Sequence, residues 1–311
     1  MSRLTTVLNS LGTQPGYTLM RGVARFKSVR DLVARSRGWL QGARTRRFLA
    51  DCQARMAGSA FADLDRDDVV RRLRSEGVAY GLTLPAALVT EIREWAERNP
   101  CYADRDAQHG FELSARARAE RELGKPILLA QHFNTAASCP AIERLIDDPA
   151  LQWIACRYLE STPTFVGANL WWTFPVRALE ADRDKHAHVF HRDVDDFRFF
   201  KFFFYLTDVP AGEGAHVCVL ASHREPPRLR RGDQWNLRRY RDDEIAATYD
   251  PARIHEICGP AGTGFAENTL CIHKGSTPQT AARLLLQLQF ALFDYGAMHD
   301  RRDSSALRSI A

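Results

Sequence analysis

Apolar residues recur at helical spacing in the earlier part of the chain and at alternate positions in the later part. Residues 67–74 carry Val69, Val70 and Leu73 on one helical face, and Pro85 opens a second helix through Leu88, Ile92 and Trp95. Gly77 and Gly81 punctuate the join. To about residue 160 the chain therefore reads as helical. From Pro163 onward it becomes short β-branched and aromatic runs separated by Gly, Pro and Asp, which is the texture of an all-β barrel or jelly roll. The runs are 164–173, 199–207, 215–220, 254–258, 265–272 and 283–293. In the last, Leu284, Leu286, Leu288, Phe290 and Leu292 fall on one face and Arg283, Leu285, Gln287 and Gln289 on the other. An apolar face under helices and a polar face lining a cavity would explain both.

Residues 21–47 stand apart, with nine Lys and Arg against the single acid Asp31, and with Val29, Leu32, Val33, Trp39 and Leu40 among them. A basic amphipathic helix can lie on an anionic membrane, and it can equally be a solvated helix with its apolar edge docked on the barrel. Gly38 and Gly42 weaken a single long helix in either case.

Composition narrows the class without naming a ligand. In 311 residues the hydrophobic fraction of 45% is ample for a core, and 43 basic against 38 acidic residues leave a net charge of only +5. Anionic partners are favoured, but nucleic acid is not demanded, and no recognisable nucleic-acid motif joins the arginines. Seven scattered cysteines without a CxxC pair argue against a disulfide framework or a thiolate zinc site and fit a reducing cytoplasm. No signal-peptide pattern or membrane-spanning run is seen, so the expected location is cytoplasmic, with peripheral contact at the inner face of a membrane as the variant.

The candidate chemistry begins at His191-Arg192-Asp193, where a spacing of two puts an imidazole and a carboxylate on the same side of an extended chain. With ten histidines in the chain, about one such triplet arises from composition alone, so context must carry it. The context is a strand delivering His273 into a Gly/Pro turn, followed ten residues later by Arg283. A second imidazole completes a facial triad of the kind that leaves open positions on Fe(II). A guanidinium can clamp the far carboxylate of a dicarboxylate through paired hydrogen bonds. Lys201 lies among phenylalanines, where a charge is costly unless it reaches solvent or an anion, and Asn169 lies on the first barrel strand with Trp171 and Trp172; Lys201 and Asn169 are candidate cofactor contacts. His186 and His188 read as solvated loop histidines rather than ligands.

The run FFKFFFYLTDVPAGEGAHVCVLASHR, residues 199–224, resembles the phytanoyl-coenzyme A dioxygenase family. His191-Arg-Asp193 matches that family's metal motif, and residues 259–275 with Arg283 match its distal histidine and 2-oxoglutarate arginine. The resemblance implies a double-stranded β-helix (jelly roll, cupin-like) core with N-terminal and flanking helices, an α+β class. It implies Fe(II) held by His191, Asp193 and His273, 2-oxoglutarate and O2 as co-substrates, and hydroxylation or a related oxidation of a small-molecule or lipid-like substrate. The Asp193 carboxylate stands where halogenating relatives carry a small residue, which favours hydroxylation. On this reading residues 1–60 are a basic helical segment, 61–300 the dioxygenase domain with its β core at about 160–295, and 301–311 a tail. The Arg-rich stretch 224–241 lies outside the shared pattern and could be a lid or a charged surface insertion. The alternative function is an inactive barrel acting as a binding or scaffold protein at an anionic membrane surface.

Overall fold

A computed structural model describes residues 14–177, 180–224, 239–297 and 300–310. Its strands are β1 (Val78–Thr83), β2 (Cys101–Ala103), β3 (Gly110–Phe111), β4 (Leu129–His132), β5 (Thr164–Thr173), β6 (Phe199–Tyr205), β7 (His216–Val219), β8 (Ile254–Ile257), β9 (Thr263–Glu267), β10 (His273–Gly275) and β11 (Arg283–Ala291). Eight of them form one sheet in the order β1-β9-β6-β11-β5-β4-β2-β3, and the other three a smaller sheet in the order β10-β7-β8. All of these strand pairs are antiparallel. The two sheets face each other as a double-stranded β-helix.

Period-two patterning decides what each face of the large sheet meets. On β11, Leu284, Leu286, Leu288 and Phe290 join the core shared with the helices, together with Phe200, Phe202 and Phe204 of β6 and Ala168, Leu170 and Trp172 of β5. Burying each such aromatic or leucine side chain contributes roughly 1.5–3 kcal/mol, so this one layer outweighs any single polar contact in the fold. The opposite face turns Trp171, Phe203, Tyr205 and Leu285 toward Cys218 of the smaller sheet and Ala215 just before it. The alternation read from the sequence of β11 is therefore the layer structure of the molecule.

The helices cover the outer face. Arg66–Ser75 is capped by Asp65, whose side chain accepts from the Asp68 backbone N–H, and it buries Val69, Val70 and Leu73. Pro149–Leu159 is capped by Asp148, whose carboxylate also accepts from the Ser59 hydroxyl and the Ala60 N–H, tying the preceding segment to the helix. Two further helices, Pro15–Val23 and Lys27–Ala54, precede these.

Two expectations about the strands are corrected. The earlier part of the chain is not purely helical: β1 to β4 belong to the large sheet, and β1 pairs with β9. These strands are short, and β1 is interrupted by a register shift at Gly81, so no run of alternation is long enough to register. The run 265–272 is not one strand. β9 stops at Glu267, residues 268–272 turn, and His273 starts β10 in the other sheet. The basic segment forms one helix, Lys27–Ala54, that runs through both Gly38 and Gly42. A Cβ on Gly38 would come within 2.8 Å of the Glu160 carbonyl oxygen, so this glycine permits close helix packing. Residues 301–311, read as a tail, include a bridge from Ser309 to Gly110 at the start of β3.

His132 on β4 is fully buried, and its Nδ1 lies 3.0 Å from the Pro100 carbonyl oxygen while Nε2 has no partner. Burial pulls its pKa down to about 4, against the opposing hydrogen bond. The unfolded chain takes up a proton near pH 6.5 that the folded chain refuses until about 4. Stability is therefore fully present above 6.5 and declines as pH falls toward 4, by roughly 3 kcal/mol from this group. Denaturant unfolding at pH 7 and pH 4.5 should show a smaller difference for His132→Asn than for the parent. Equal slopes would remove His132 from the acid response.

Candidate metal centre

The segment 190–193 runs extended alongside β10. His191 and His273 exchange two backbone hydrogen bonds of 2.9 and 3.0 Å, and the Asp193 N–H donates to the Thr269 carbonyl at 2.9 Å. This pairing brings together residues some eighty positions apart. The imidazole rings stand 4.2 Å apart between centroids. Asp193 Oδ1 lies 3.6 Å from His191 Nε2, and Asp193 Oδ2 lies 3.7 Å from His273 Nε2. One ligand atom from each of the three residues lies within 4.8 Å of the other two. Adjacent ligands of a single ion, each about 2.1 Å from it, would be roughly 3 Å apart, which small side-chain adjustments reach.

The hydrogen bonds behind the rings set their tautomers. His191 Nδ1 is 3.0 Å from the Val189 carbonyl oxygen and His273 Nδ1 is 2.9 Å from the Cys271 carbonyl oxygen, the same two-residue offset in both cases. Each Nδ1–H donates to its carbonyl, so each Nε2 presents a lone pair toward Asp193. Burial and then the neighbouring His273 hold the His191 pKa well below the usual imidazole value, which keeps the ring neutral. The approach to His273 is itself braced. The Ser222 hydroxyl accepts the Ile272 N–H at 2.8 Å, and His223 Nδ1 sits 3.2 Å from Cys271 Sγ. Gly77, with φ of 83°, lets the chain pass this point, since a Cβ there would overlap Cys271 and His223. Ser222 and His223 thus act on the strand that carries His273.

Lys201 enters from β6. Its ammonium lies 2.6 Å from Asp193 Oδ2 and 3.2 Å from Asp195 Oδ2, and is buried. Burial opposes the charge on Asp193, but the Lys201 ammonium holds its carboxyl well below the ordinary range. Burial likewise disfavours the Lys201 cation, and the two aspartates outweigh it and raise its pKa. Asp195 also accepts from the Tyr17 hydroxyl and the Gln289 side chain, which links helix Pro15–Val23 and β11 to the same cluster.

A cavity of about 270 Å³ extends from this cluster to Arg283. Asn169 and Trp171 line it from β5, whereas Trp172 packs in the helix-covered core. The Asn169 amide oxygen accepts from Gln131 at 2.9 Å. Arg283 is 2% exposed. Its guanidinium donates to the Gly214 carbonyl and, at 3.1 Å, to the Thr173 hydroxyl, while Nε finds no partner. Both acceptors are neutral, and among the described residues no carboxylate forms an ion pair with it. Burial accordingly lowers its pKa.

His186 and His188 are corrected: neither is solvated. Both are buried and line the cavity, His186 with Nε2 3.0 Å from Asp104 Oδ1, and His188 with Nδ1 2.8 Å from the Thr277 hydroxyl. Sequence reasoning also passed over Asp195, His216 and Glu267. Asp195 had a visible signal, because Asp193-Val-Asp195 repeats the spacing of two. His216 stacks on His273 with centroids 5.4 Å apart and faces the fully buried Glu267 carboxylate at 2.6 Å. That pair joins a strand of one sheet to a strand of the other, so no local pattern announces it. Most of the Arg-rich stretch, residues 225–238, lies outside the described residues.

No protein-family model matches the chain and no curated protein is similar to it in sequence, so the phytanoyl-coenzyme A dioxygenase resemblance remains one of motifs. Among solved structures, it is similar to AviO1 from Streptomyces viridochromogenes Tue57, with TM-score 0.50, 16% identity, and coverage of 73% of this chain and 95% of that one. It is also similar to SnoN, an alpha ketoglutarate dependent epimerase from nogalamycin biosynthesis, with TM-score 0.48, 14% identity, and coverage of 74% and 82%. HygX from Streptomyces hygroscopicus, solved with nickel and 2-oxoglutarate, has TM-score 0.48, 15% identity, and coverage of 73% and 87%. At these identities the likeness is one of fold.

Lys201→Met should destabilise the metal-free protein by about 3–5 kcal/mol at neutral pH, because Asp193 and Asp195 then face each other without their cation. Lys201→Arg should lose less. Denaturant unfolding measures both, and an unchanged midpoint for the methionine variant would show that the pair contributes nothing.

Proposed function

We propose that this chain is an Fe(II)- and 2-oxoglutarate-dependent oxygenase that hydroxylates a small or lipid-like molecule with release of succinate and carbon dioxide. One observation carries the reading: three converging metal-ligand side chains and a buried guanidinium without a carboxylate partner stand in the same cavity.

The residues fit the groups required. Two neutral imidazoles and one carboxylate suit Fe(II) and leave three positions open, enough for a chelating 2-oxo acid and O2. Arg283, with its orphaned Nε and only neutral partners, suits the distal carboxylate of the co-substrate. When bound, these groups supply the activation of O2 for C–H oxidation, which no amino-acid side chain supplies.

The protein's own contribution is positional. The Val189 and Cys271 carbonyls fix both imidazoles with Nε2 inward. Lys201 holds Asp193 by Oδ2, keeping the carboxylate ionised and its rotation restricted. Arg283 provides a fixed charge at the far end, and Trp171, Phe203 and Leu285 make part of the wall apolar, which excludes water from the space between. Retention of a carboxylate at Asp193 favours hydroxylation over halogenation.

Anaerobic addition of Fe(II) and 2-oxoglutarate should give the weak visible absorption of a ferrous ion chelated by a 2-oxo acid. His191→Ala and Asp193→Ala should abolish iron retention. Arg283→Gln should retain iron and raise the 2-oxoglutarate requirement on the order of 100-fold. Equal loss of iron in all three variants would contradict the separate roles. No visible band under saturating ligand would favour a binding or scaffold barrel.

A further inference from the structure

Among the described residues, the exposed large hydrophobic side chains are Leu19, Val23, Leu32, Trp39 and Leu40, and every one belongs to the two helices that precede the barrel. Trp39 is 83% exposed, Leu40 73% and Leu32 66%. On helix Lys27–Ala54, Leu32, Trp39 and Ala43 follow one another at spacings of seven and four, with Leu40 beside them. Ala34 and Cys52 lie on the other side of the helix and are buried. Leu32, Trp39 and Leu40 therefore point away from the fold.

The same outward surface is basic. Arg35, Arg44, Arg46 and Arg47 are exposed, and from residue 32 to residue 50 the chain contains no Asp or Glu. We propose that the outward face of helix Lys27–Ala54 docks on an anionic lipid bilayer. Leu32, Trp39 and Leu40 enter the boundary between headgroups and acyl chains, and the four arginines meet lipid phosphates and carboxylates. Among the described residues no helix is long and apolar enough to cross a membrane, so the contact lies in the plane of the surface.

Charge and shape select this occupant. A second copy of the chain would bring four arginines against four others, with no carboxylate in the stretch to neutralise them. Nucleic acid would satisfy the arginines but offers no apolar phase for two leucines. A bilayer interface supplies both an anionic layer and an apolar one at the depth that a tryptophan prefers. The proposal is independent of the metal centre, since none of these side chains lines its cavity.

Flotation of the full chain with phosphatidylcholine vesicles, with and without phosphatidylserine, tests it. Binding is expected to the anionic vesicles, to weaken in high salt, and to be far weaker on phosphatidylcholine alone. Arg44→Gln/Arg46→Gln/Arg47→Gln should lower partitioning on the order of 100-fold. Trp39→Ala/Leu40→Ala should lower it at least ~10-fold. Because all five positions are exposed, both variants should keep the parent's circular dichroism and unfolding midpoint. Failure of the parent to float with anionic vesicles, equal binding to both vesicle types, or parent-like binding by the variants would overturn the proposal. So would a dimer, or a complex with an acidic protein or RNA, that the same substitutions dissolve while vesicle binding is absent.

Discussion

Two imidazole nitrogens and a carboxylate, all presenting lone pairs, are held together in a buried pocket by backbone hydrogen bonds that do not depend on them. With each Nδ1–H committed to a carbonyl, no proton is available to lie between His191 Nε2, His273 Nε2 and Asp193. Such a cluster is repulsive unless a cation shares it. Lys201 meets part of that need from one side, at Asp193 Oδ2. The histidine side is left for a metal ion. The rest of the architecture serves this convergence: β10 must cross to the second sheet, segment 190–193 must pair with it, and the turn 268–272 must be braced by Ser222 and His223.

A second charge, at the opposite end of the cavity, gives the site a direction. Arg283 is buried with neutral partners only, in a position where desolvation works against its charge. A protein holds such a cation at a cost unless an anion visits it. The distance between the two ends is filled by one cavity of about 270 Å³, part of its wall apolar, so a molecule with a chelating head and an anionic tail is complementary to both. The remaining space, bounded by Arg105, Tyr17 and Arg21 as well as by the barrel, is where a substrate would be discriminated.

How much of this could be read from the chain follows from the range of each signal. The phase of β11 was legible because Leu or Phe recurs at every second position from Leu284 to Phe290, and it correctly separated Arg283, Leu285 and Gln287 from the leucine stripe packed under the helices. The convergence of His191, Asp193 and His273 was legible as a pattern of order and spacing. The short strands β2 to β4 were not, because two to four residues cannot show a period. His216 opposite Glu267 is made by two sheets facing each other, and Lys201 between two aspartates by the packing of residues 193–195 against β6, and neither contact leaves a mark on either segment alone. Burial of His186 and His188 was missed for the same reason: their partners, Asp104 and Thr277, come from elsewhere in the chain.

The central claim is that one ferrous ion is held by two imidazoles and a carboxylate, and X-ray absorption at the iron edge of the anaerobically loaded protein addresses it directly. The account predicts the outer-shell scattering pattern of two imidazole rings, with nitrogen and oxygen neighbours at about 2.0–2.2 Å. Exchange of His273 for alanine should remove one ring from that pattern in whatever iron remains bound. A spectrum with oxygen neighbours alone, or one unaltered by loss of His273, would contradict the account.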